Sequence, residues 1–175
     1  PSDFAKAMQE IVDKGGCVVG GCCGTTPAHI SAMVAACKEK EIVIPVFKNH
    51  TLVSSYGKTV EIGEQPIIIG ERINPTGKKR FKQALKDHDM DYILREGIMQ
   101  QENGAHILDV NVGLPEIDEP QLMEEAVTGI QAIIDLPLQI DTSDPIAMER
   151  ALRCYNGKPM LNSVNGKKES MESVF

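Results

Sequence analysis

The sequence predicts an α/β protein in which parallel strands alternate with helices. Between residues 66 and 163, four short apolar strands recur with helical stretches between them. Each of these strands is apolar enough to be buried on both faces, which is typical of a parallel sheet. Residues 2–40 show the same alternation in a shorter helix–strand–helix piece. Both regions therefore indicate one fold class.

Four strand–helix units make up residues 66–175. The predicted strands cover 66–70, 106–112, 137–141 and 158–163. A helical stretch follows the loop 71–79 and runs to about 103, and a second helix is predicted over 120–135. Asp144-Pro145 is typical of a helix start, because Asp caps the first turn and Pro has a suitable fixed φ.

The N-terminal piece has clear boundaries in the sequence. A helix over 2–14 ends at a glycine pair, a short buried strand is predicted over 17–21, and Thr26-Pro27 begins a second helix. The segment 41–65 contains prolines, glycines and only short β-prone pieces, which indicates a linker with a small hairpin. We therefore expect three parts, which are residues 1–40, the linker 41–65, and residues 66–175.

Composition excludes several classes of protein. The net charge is −7 with dispersed lysines and arginines, which argues against non-specific binding to nucleic acid or to an anionic membrane. No apolar run approaches the ~20 residues that a membrane span needs. The five cysteines are an odd number without the spacing of a disulfide scaffold. This cysteine usage favours a reducing, cytoplasmic compartment.

Polar residues recur where the four predicted strands end. In parallel α/β sheets the carboxyl ends of the strands line the ligand site. Each residue taken alone is also compatible with a turn or a helix cap, as for Asp144. Asp109 and Asn162, however, lie in apolar strand segments that need no cap. The candidate residues are Glu71, Asn74, Asp109, Asn111, Asp141 and Asn162.

Carboxylates and amides in a partly buried pocket suit a flat heterocycle with an amide and amino edge, because one carboxylate accepts two N–H bonds. A phosphate ligand fits less well, since neither GxGxxG nor GxxxxGK[ST] is present. A metal held by Asp109 and Asp141 is a further alternative that no other residue supports.

The stretch "GGCCGTTPAHI" places Cys22 and Cys23 side by side between glycines, just before a helix. Adjacent cysteines rarely form an ordinary disulfide, and two thiolates are too few for a closed zinc site. An incidental pair of cysteines in a tight glycine turn is the alternative interpretation.

Several motifs resemble known families. "IIIGERINPTGKKRF", "AHILDVNVG", "LQIDTSDP" and "MLNSVNG" together resemble the pterin-binding barrel of methyltetrahydrofolate methyltransferases. "VGGCCGTTPAHI" resembles the closing zinc motif of the homocysteine-binding barrel. In this order the two are similar to the cobalamin-dependent methionine synthases. The resemblance implies two incomplete TIM-barrel-type (β/α) segments: the last unit of one barrel in 1–40 and the first half of another in 66–175.

The implied activity is methyl transfer from 5-methyltetrahydrofolate through cobalamin to zinc-bound homocysteine, giving methionine. Cobalamin would be carried by a partner module that is not in this chain. Cys22 and Cys23 match two of the three cysteine ligands of Zn²⁺, and the resemblance places the third upstream of Pro1. The zinc site is therefore expected to be incomplete here, and the isolated chain to be inactive as a methionine synthase.

The resemblance places the pterin ring against Asp109, Asp141 and Asn162, with three further residues nearby: Glu71, Asn74 and Asn111. Asp141 and Asn162 are the expected catalytic pair, because the N5 atom needs a proton or a hydrogen bond as its methyl group leaves.

Two other functions remain open at this point. "IDTSDP" and "NPTG" also look like dihydropteroate synthase, but that family does not account for "GGCCGTTP". The second is a non-catalytic barrel fragment that keeps the fold without chemistry. Binding of folate and zinc would distinguish an enzyme segment from such a fragment.

Overall fold

The structure, a computed structural model, describes residues 1–41 and 49–175. They divide into two units, Pro1–Asn49 and His50–Phe175, and each unit is described by itself. Residues 42–48, in the first part of the predicted linker, lie outside the described residues.

The first unit is a pair of helices, α1 (Ser2–Asp13) and α2 (Pro27–Cys37). Ala5 and Met33 are the buried apolar residues of this pair. The predicted start of α2 is confirmed, with Pro27 in its first turn after Thr26. Thr26 contacts His29 Nδ1 through its backbone nitrogen (3.3 Å) and its hydroxyl (2.8 Å), so the histidine closes a capping box.

The strand predicted over 17–21 is wrong for this structure, because these residues form no strand. Val18, expected to be buried, is 94% exposed. A strand requires a neighbouring strand to pair its N–H and C=O groups, and residues 1–41 contain none. Apolar content alone therefore does not produce a strand here.

The second unit contains a hairpin, a parallel sheet and five helices among the described residues. In chain order these are β1 (Thr51–Ser54), β2 (Thr59–Ile62), β3 (Ile69–Ile73), α3 (Lys79–Lys86), α4 (Met90–Glu102), β4 (Ile107–Val110), α5 (Glu119–Ile133), β5 (Leu138–Asp141), α6 (Pro145–Cys154), β6 (Met160–Asn162) and α7 (Lys168–Val174). The sheet is parallel with the order β3-β4-β5-β6. This confirms the α/β class with partial TIM-barrel-type segments, and no closed barrel forms within the described ranges.

Two elements differ from the sequence prediction. The strand predicted over 66–70 lies at Ile69–Ile73, so Glu71, expected in the loop that follows, is a strand residue. The single helical stretch expected up to residue 103 is two helices, since His88 adopts a φ of +52° between α3 and α4. Asp89 then caps α4, accepting a hydrogen bond from the backbone nitrogen of Tyr92 at 3.0 Å. No helix in residues 1–41 or 49–175 is long and apolar enough to cross a membrane.

The hairpin in the predicted linker segment packs as part of the second unit. Val53 and Val60 are buried in a cluster with Ile107 of β4. The buried Tyr155 hydroxyl donates to the carbonyl oxygen of Ser54 (2.8 Å) and accepts from the backbone nitrogen of Leu138 (3.1 Å). These two hydrogen bonds hold the hairpin near the amino ends of β5 and β6.

One face of the sheet packs on the helices and the other carries polar groups. Leu138 and Ile140 are fully buried in the main core, whereas Gln139 and Asp141 between and after them are only half-buried. Because side chains alternate along a strand, Gln139 and Asp141 lie on the opposite face from this core.

A bulge in β3 places two more polar residues together. The pairing of β3 with β4 shifts between Gly70 and Ile73, and Ile73 is buried in the core. Glu71 and Asn74 are three residues apart, so in a regular strand they would point to opposite faces. Instead, the Asn74 amide donates to Glu71 Oε1 at 3.3 Å.

Candidate functional site

The strand register places the candidate residues side by side at the carboxyl ends of the sheet. Asp109 of β4 is the pairing partner of Gln139 of β5, and Asp141 of β5 is the partner of Asn162 of β6. Partners on parallel strands point to the same face. The predicted convergence of polar groups at this edge is thus a property of the backbone pairing.

Asp109 lies at the centre of this group and is 1% exposed. Its Oδ1 accepts a hydrogen bond from the Gln139 side-chain amide. Its Oδ2 is buried and has no hydrogen-bond partner among the described residues. A buried acceptor without a donor costs free energy, so this oxygen is available for a ligand N–H.

Burial, together with the nearby charges of Asp141 and Glu71, raises the pKa of the Asp109 carboxyl to about 6. The amides of Gln139 and, more weakly, Asn74 oppose this rise. Three carboxylates near one buried site repel one another and each gains from a hydrogen-bond donor. The site therefore favours a neutral ligand rich in N–H groups over an anion.

Asn111 and Asp141 form a second pair beside Asp109. The Asn111 amide donates to Asp141 Oδ2 at 2.9 Å, and its own oxygen accepts from the backbone nitrogen of Gly113, also at 2.9 Å. Both the nitrogen and the oxygen of the Asn111 side-chain amide are therefore hydrogen-bonded. Asn162 is half-buried, and its backbone oxygen accepts from the nitrogen of Thr142 at 2.8 Å.

Glu71 of β3 and Asn74, the residue directly after this strand, complete the group. Asn74 is 5% exposed, and its oxygen accepts from the backbone nitrogen of Thr76 at 2.8 Å. Lys78 reaches back over this loop, and its Nζ donates to the carbonyl oxygen of Glu71 at 3.0 Å. The loop after β3 is therefore fixed around the two residues.

Gln139 is the site residue that sequence reasoning missed. It orients the central carboxylate, yet it lies inside an apparently apolar strand. The signal was present in "LQID", where polar residues alternate with fully buried ones. That period of two places Gln139 and Asp141 on one face.

Cys22 and Cys23 lie in the first unit, in the loop before α2, and both are exposed. Gly24 follows with a φ of +82°, a turn conformation that favours glycine. Among residues 1–41 and 49–175, no group of three or more His, Cys, Asp or Glu side chains could hold a metal ion. Two thiols alone are fewer donors than a Zn²⁺ site needs. The Nδ1 atom of His29 is already hydrogen-bonded to Thr26 in the helix cap.

The fold, with polar residues gathered at the carboxyl ends of the strands, defines a parallel α/β protein with a polar candidate site for a ligand. The family model described as pterin binding enzyme matches residues 70–174, which is more than half of the chain. The chain belongs to the pterin-binding enzyme family. Residues 1–37 match the homocysteine S-methyltransferase family. The predicted resemblance is confirmed at this level, and the two matches together indicate a methyltransferase of folate and homocysteine chemistry.

Replacing Asp109 with Asn is expected to stabilise the unliganded protein above pH 6. A carboxyl whose folded-state pKa is about 6 instead of 3.8 holds its proton more tightly when folded. The free energy of unfolding therefore falls as pH rises through this window, and the loss is complete above it. The amide of the variant carries no such charge. Thermal melts at pH 8 should show a gain of roughly 2–6 °C that shrinks towards pH 4.

Glu64→Gln, a change at an exposed carboxylate outside the helices and strands, is the control and should alter the melting temperature little at either pH. An Asp109→Asn protein that melts at or below the unaltered temperature at pH 8 would contradict the unfavourable burial of this charge.

Proposed function

We propose that the chain is part of a methyltransferase that moves the methyl group of 5-methyltetrahydrofolate, through cobalamin, to zinc-bound homocysteine to give methionine. The observation that carries this proposal is the buried Asp109 carboxylate, with one oxygen lacking a donor among the described residues, next to amide side chains at the strand ends. The pterin-binding and homocysteine S-methyltransferase matches support the same function.

In this proposal, Asp109 holds the edge of the pterin ring that carries an amino group and a ring N–H. A carboxylate accepts two parallel N–H bonds, and a charge-assisted pair is stronger than a neutral one. Gln139 fixes the carboxylate through Oδ1. Donors from the ligand would satisfy Oδ2 and favour the ionised form of Asp109. Glu71 and Asn74 line the adjacent edge of the site.

Asp141 and Asn162 are proposed to act at N5, the atom that loses the methyl group. Expelling a tertiary amine requires that N5 gain a proton or a hydrogen bond as the bond breaks. Asn111 orients Asp141 through the 2.9 Å hydrogen bond. Asn162 is neutral, so it stabilises the changing ring without imposing one charge state. Cobalamin, carried by another module, supplies the methyl acceptor.

Cys22 and Cys23 are proposed as two thiolate ligands of a zinc ion that binds homocysteine. Zinc makes a bound thiol a thiolate at neutral pH. Both side chains are exposed before α2, where an ion has access. The described residues supply no complete donor set, so no chemical step is assigned to the metal.

The odd number of cysteines, without the spacing of a disulfide scaffold, supports the proposed cytoplasmic location. Dihydropteroate synthase is a less favoured function, because the homocysteine S-methyltransferase match at residues 1–37 has no role in that reaction.

Binding of 5-methyltetrahydrofolate to the full chain tests the pterin site directly. Titration calorimetry at pH 7.5 should show binding, and affinity should fall as pH decreases through about 6, where Asp109 gains a proton. Asp109→Asn should bind roughly 10- to 100-fold more weakly and lose this pH dependence. No binding by the unaltered chain, or an identical pH profile in the variant, would refute the assignment.

Asp141→Asn and Asn162→Ala should slow methyl transfer in the complete enzyme by roughly 100-fold, while folate affinity changes less than the rate. The rates are measured with 5-methyltetrahydrofolate and cob(I)alamin. Asn156→Ala, at an exposed position before β6, is the control. Unchanged binding and unchanged rate in both site variants would show that neither residue has the proposed role.

The zinc proposal is tested in the complete enzyme, by competition with a chromogenic chelator, because the described residues supply no complete donor set. The complete enzyme should retain zinc, and Cys22→Ser with Cys23→Ser should abolish this retention. Cys154→Ser, a change on α6 in the other unit, should leave it intact. Equal zinc retention in all three proteins, or none in the unaltered enzyme, would count against these ligands.

A further inference from the structure

Thr142, directly after β5, is a buried polar residue with no role in the chemistry proposed above. It is 4% exposed, and it follows Asp141 in the chain. A buried hydroxyl needs hydrogen-bond partners, so the partners of Thr142 show which segments it connects. These partners lie in loops at the carboxyl ends of the sheet, where the candidate site is formed.

The Thr142 hydroxyl is oriented by two hydrogen bonds. It donates to Oε1 of Glu119, the first residue of α5. It accepts from the backbone nitrogen of Asp144, the N-cap of α6, at 3.0 Å. Because the proton faces the carboxylate and a lone pair faces the N–H group, the hydroxyl has one orientation. It therefore links the starts of two helices that follow neighbouring strands.

The backbone of Thr142 connects this hydroxyl to Asn162. Its backbone nitrogen donates to the carbonyl oxygen of Asn162 at 2.8 Å. Asn162 is the last residue of β6 and pairs with Asp141 of β5. The hydrogen bond continues the pairing of β5 with β6 for one residue beyond the strand. It therefore fixes the backbone from which the Asn162 side chain extends.

Glu119 is itself packed closely against the loop after β4. A Cβ atom added at Gly113 would lie 3.2 Å from Glu119 Oε2, which is shorter than ordinary van der Waals contact. The lack of a side chain at Gly113 thus makes room for the carboxylate. The backbone nitrogen of Gly113 donates to Asn111 Oδ1, and the Asn111 amide donates to Asp141. Glu119 therefore anchors Thr142 to the loop that orients Asp141.

We propose that Glu119 and Thr142 are a positioning pair for methyl transfer, which fixes Asn162 relative to Asp141. This inference rests on the proposed function, in which Asn162 and Asp141 act at N5. Neither member of the pair is assigned a contact with the substrate. A displacement of about 1 Å in a reacting group lowers a rate by roughly 100-fold, whereas Asp109 holds the ring independently of the pair. Loss of the pair should therefore lower kcat more than it weakens folate binding.

The test measures kcat and the dissociation constant of 5-methyltetrahydrofolate in the complete enzyme, with cob(I)alamin as methyl acceptor. Thr142→Val removes the hydroxyl and should lower kcat about tenfold, while the dissociation constant changes less than about threefold. Thr142→Ser keeps the hydroxyl and should restore kcat to within about twofold. Glu119→Ala should resemble Thr142→Val, whereas Glu119→Gln keeps an acceptor oxygen and should retain most of the rate.

A combination with Asn162→Ala distinguishes positioning from a general loss of structure. If the pair acts through Asn162, Thr142→Val should slow the Asn162→Ala enzyme by less than about twofold. A purely structural role would slow both backgrounds equally. Equal slowing in the two backgrounds, or unchanged kcat in both Thr142→Val and Glu119→Ala, would overturn the inference.

Thr128→Val is the matched control, because it removes an exposed hydroxyl from α5 and should leave kcat unchanged. All rates are compared well below the lowest melting temperature of the set, so that unfolding does not lower kcat. A slow Asn162→Ala enzyme together with normal rates in the variants of the pair would overturn this inference alone. A normal rate in Asn162→Ala itself would overturn the proposed role of Asn162 as well.

Discussion

The burial of the Asp109 carboxylate is the constraint on which the candidate site depends. A charge that is 1% exposed, with one oxygen lacking a partner in the described part of the chain, is unfavourable unless surrounding groups hold it in place. Gln139 does so across the β4–β5 pairing. The alternation that turns Gln139 towards Asp109 also turns Leu138 and Ile140 into the core. The core therefore supports the position of the polar group.

The two units carry polar groups in opposite environments. Cys22 and Cys23 are exposed in a glycine-rich loop, where solvent reaches both thiols. The strand-end carboxylates instead surround a buried position where hydrogen bonds are strong and an unsatisfied acceptor is costly. A reactive thiol must be exposed and must lie near a positive charge. Recognition of a neutral ring instead requires hydrogen-bond donors and acceptors in fixed orientations. The first unit contains the match to the homocysteine S-methyltransferase family, and the second unit contains the match to the pterin-binding enzyme family.

Local sequence predicted the elements that depend on local chemistry. The Thr26-Pro27 helix start formed as expected, and Asp144 caps α6 by accepting from the backbone nitrogen of Ile146 at 2.8 Å. The four strands of the sheet also formed, with β3 three residues later than predicted. Burial on both faces is found only for β4, whereas β5 is buried at alternate positions and β3 and β6 are more exposed. The strand predicted over 17–21 did not form, since strand pairing depends on a neighbour that residues 1–41 do not provide.

The sequence by itself determined the α/β class, because periodicity and turn chemistry are local. It also located the polar residues near the ends of the strands and the adjacent pair Cys22 and Cys23. Only the tertiary structure decided how these residues meet. The bulge that brings Glu71 and Asn74 together, the role of Gln139 and the packing of the hairpin depend on strand register and on contacts between distant segments. Such contacts follow from the packing of the whole unit, which no short stretch of sequence specifies.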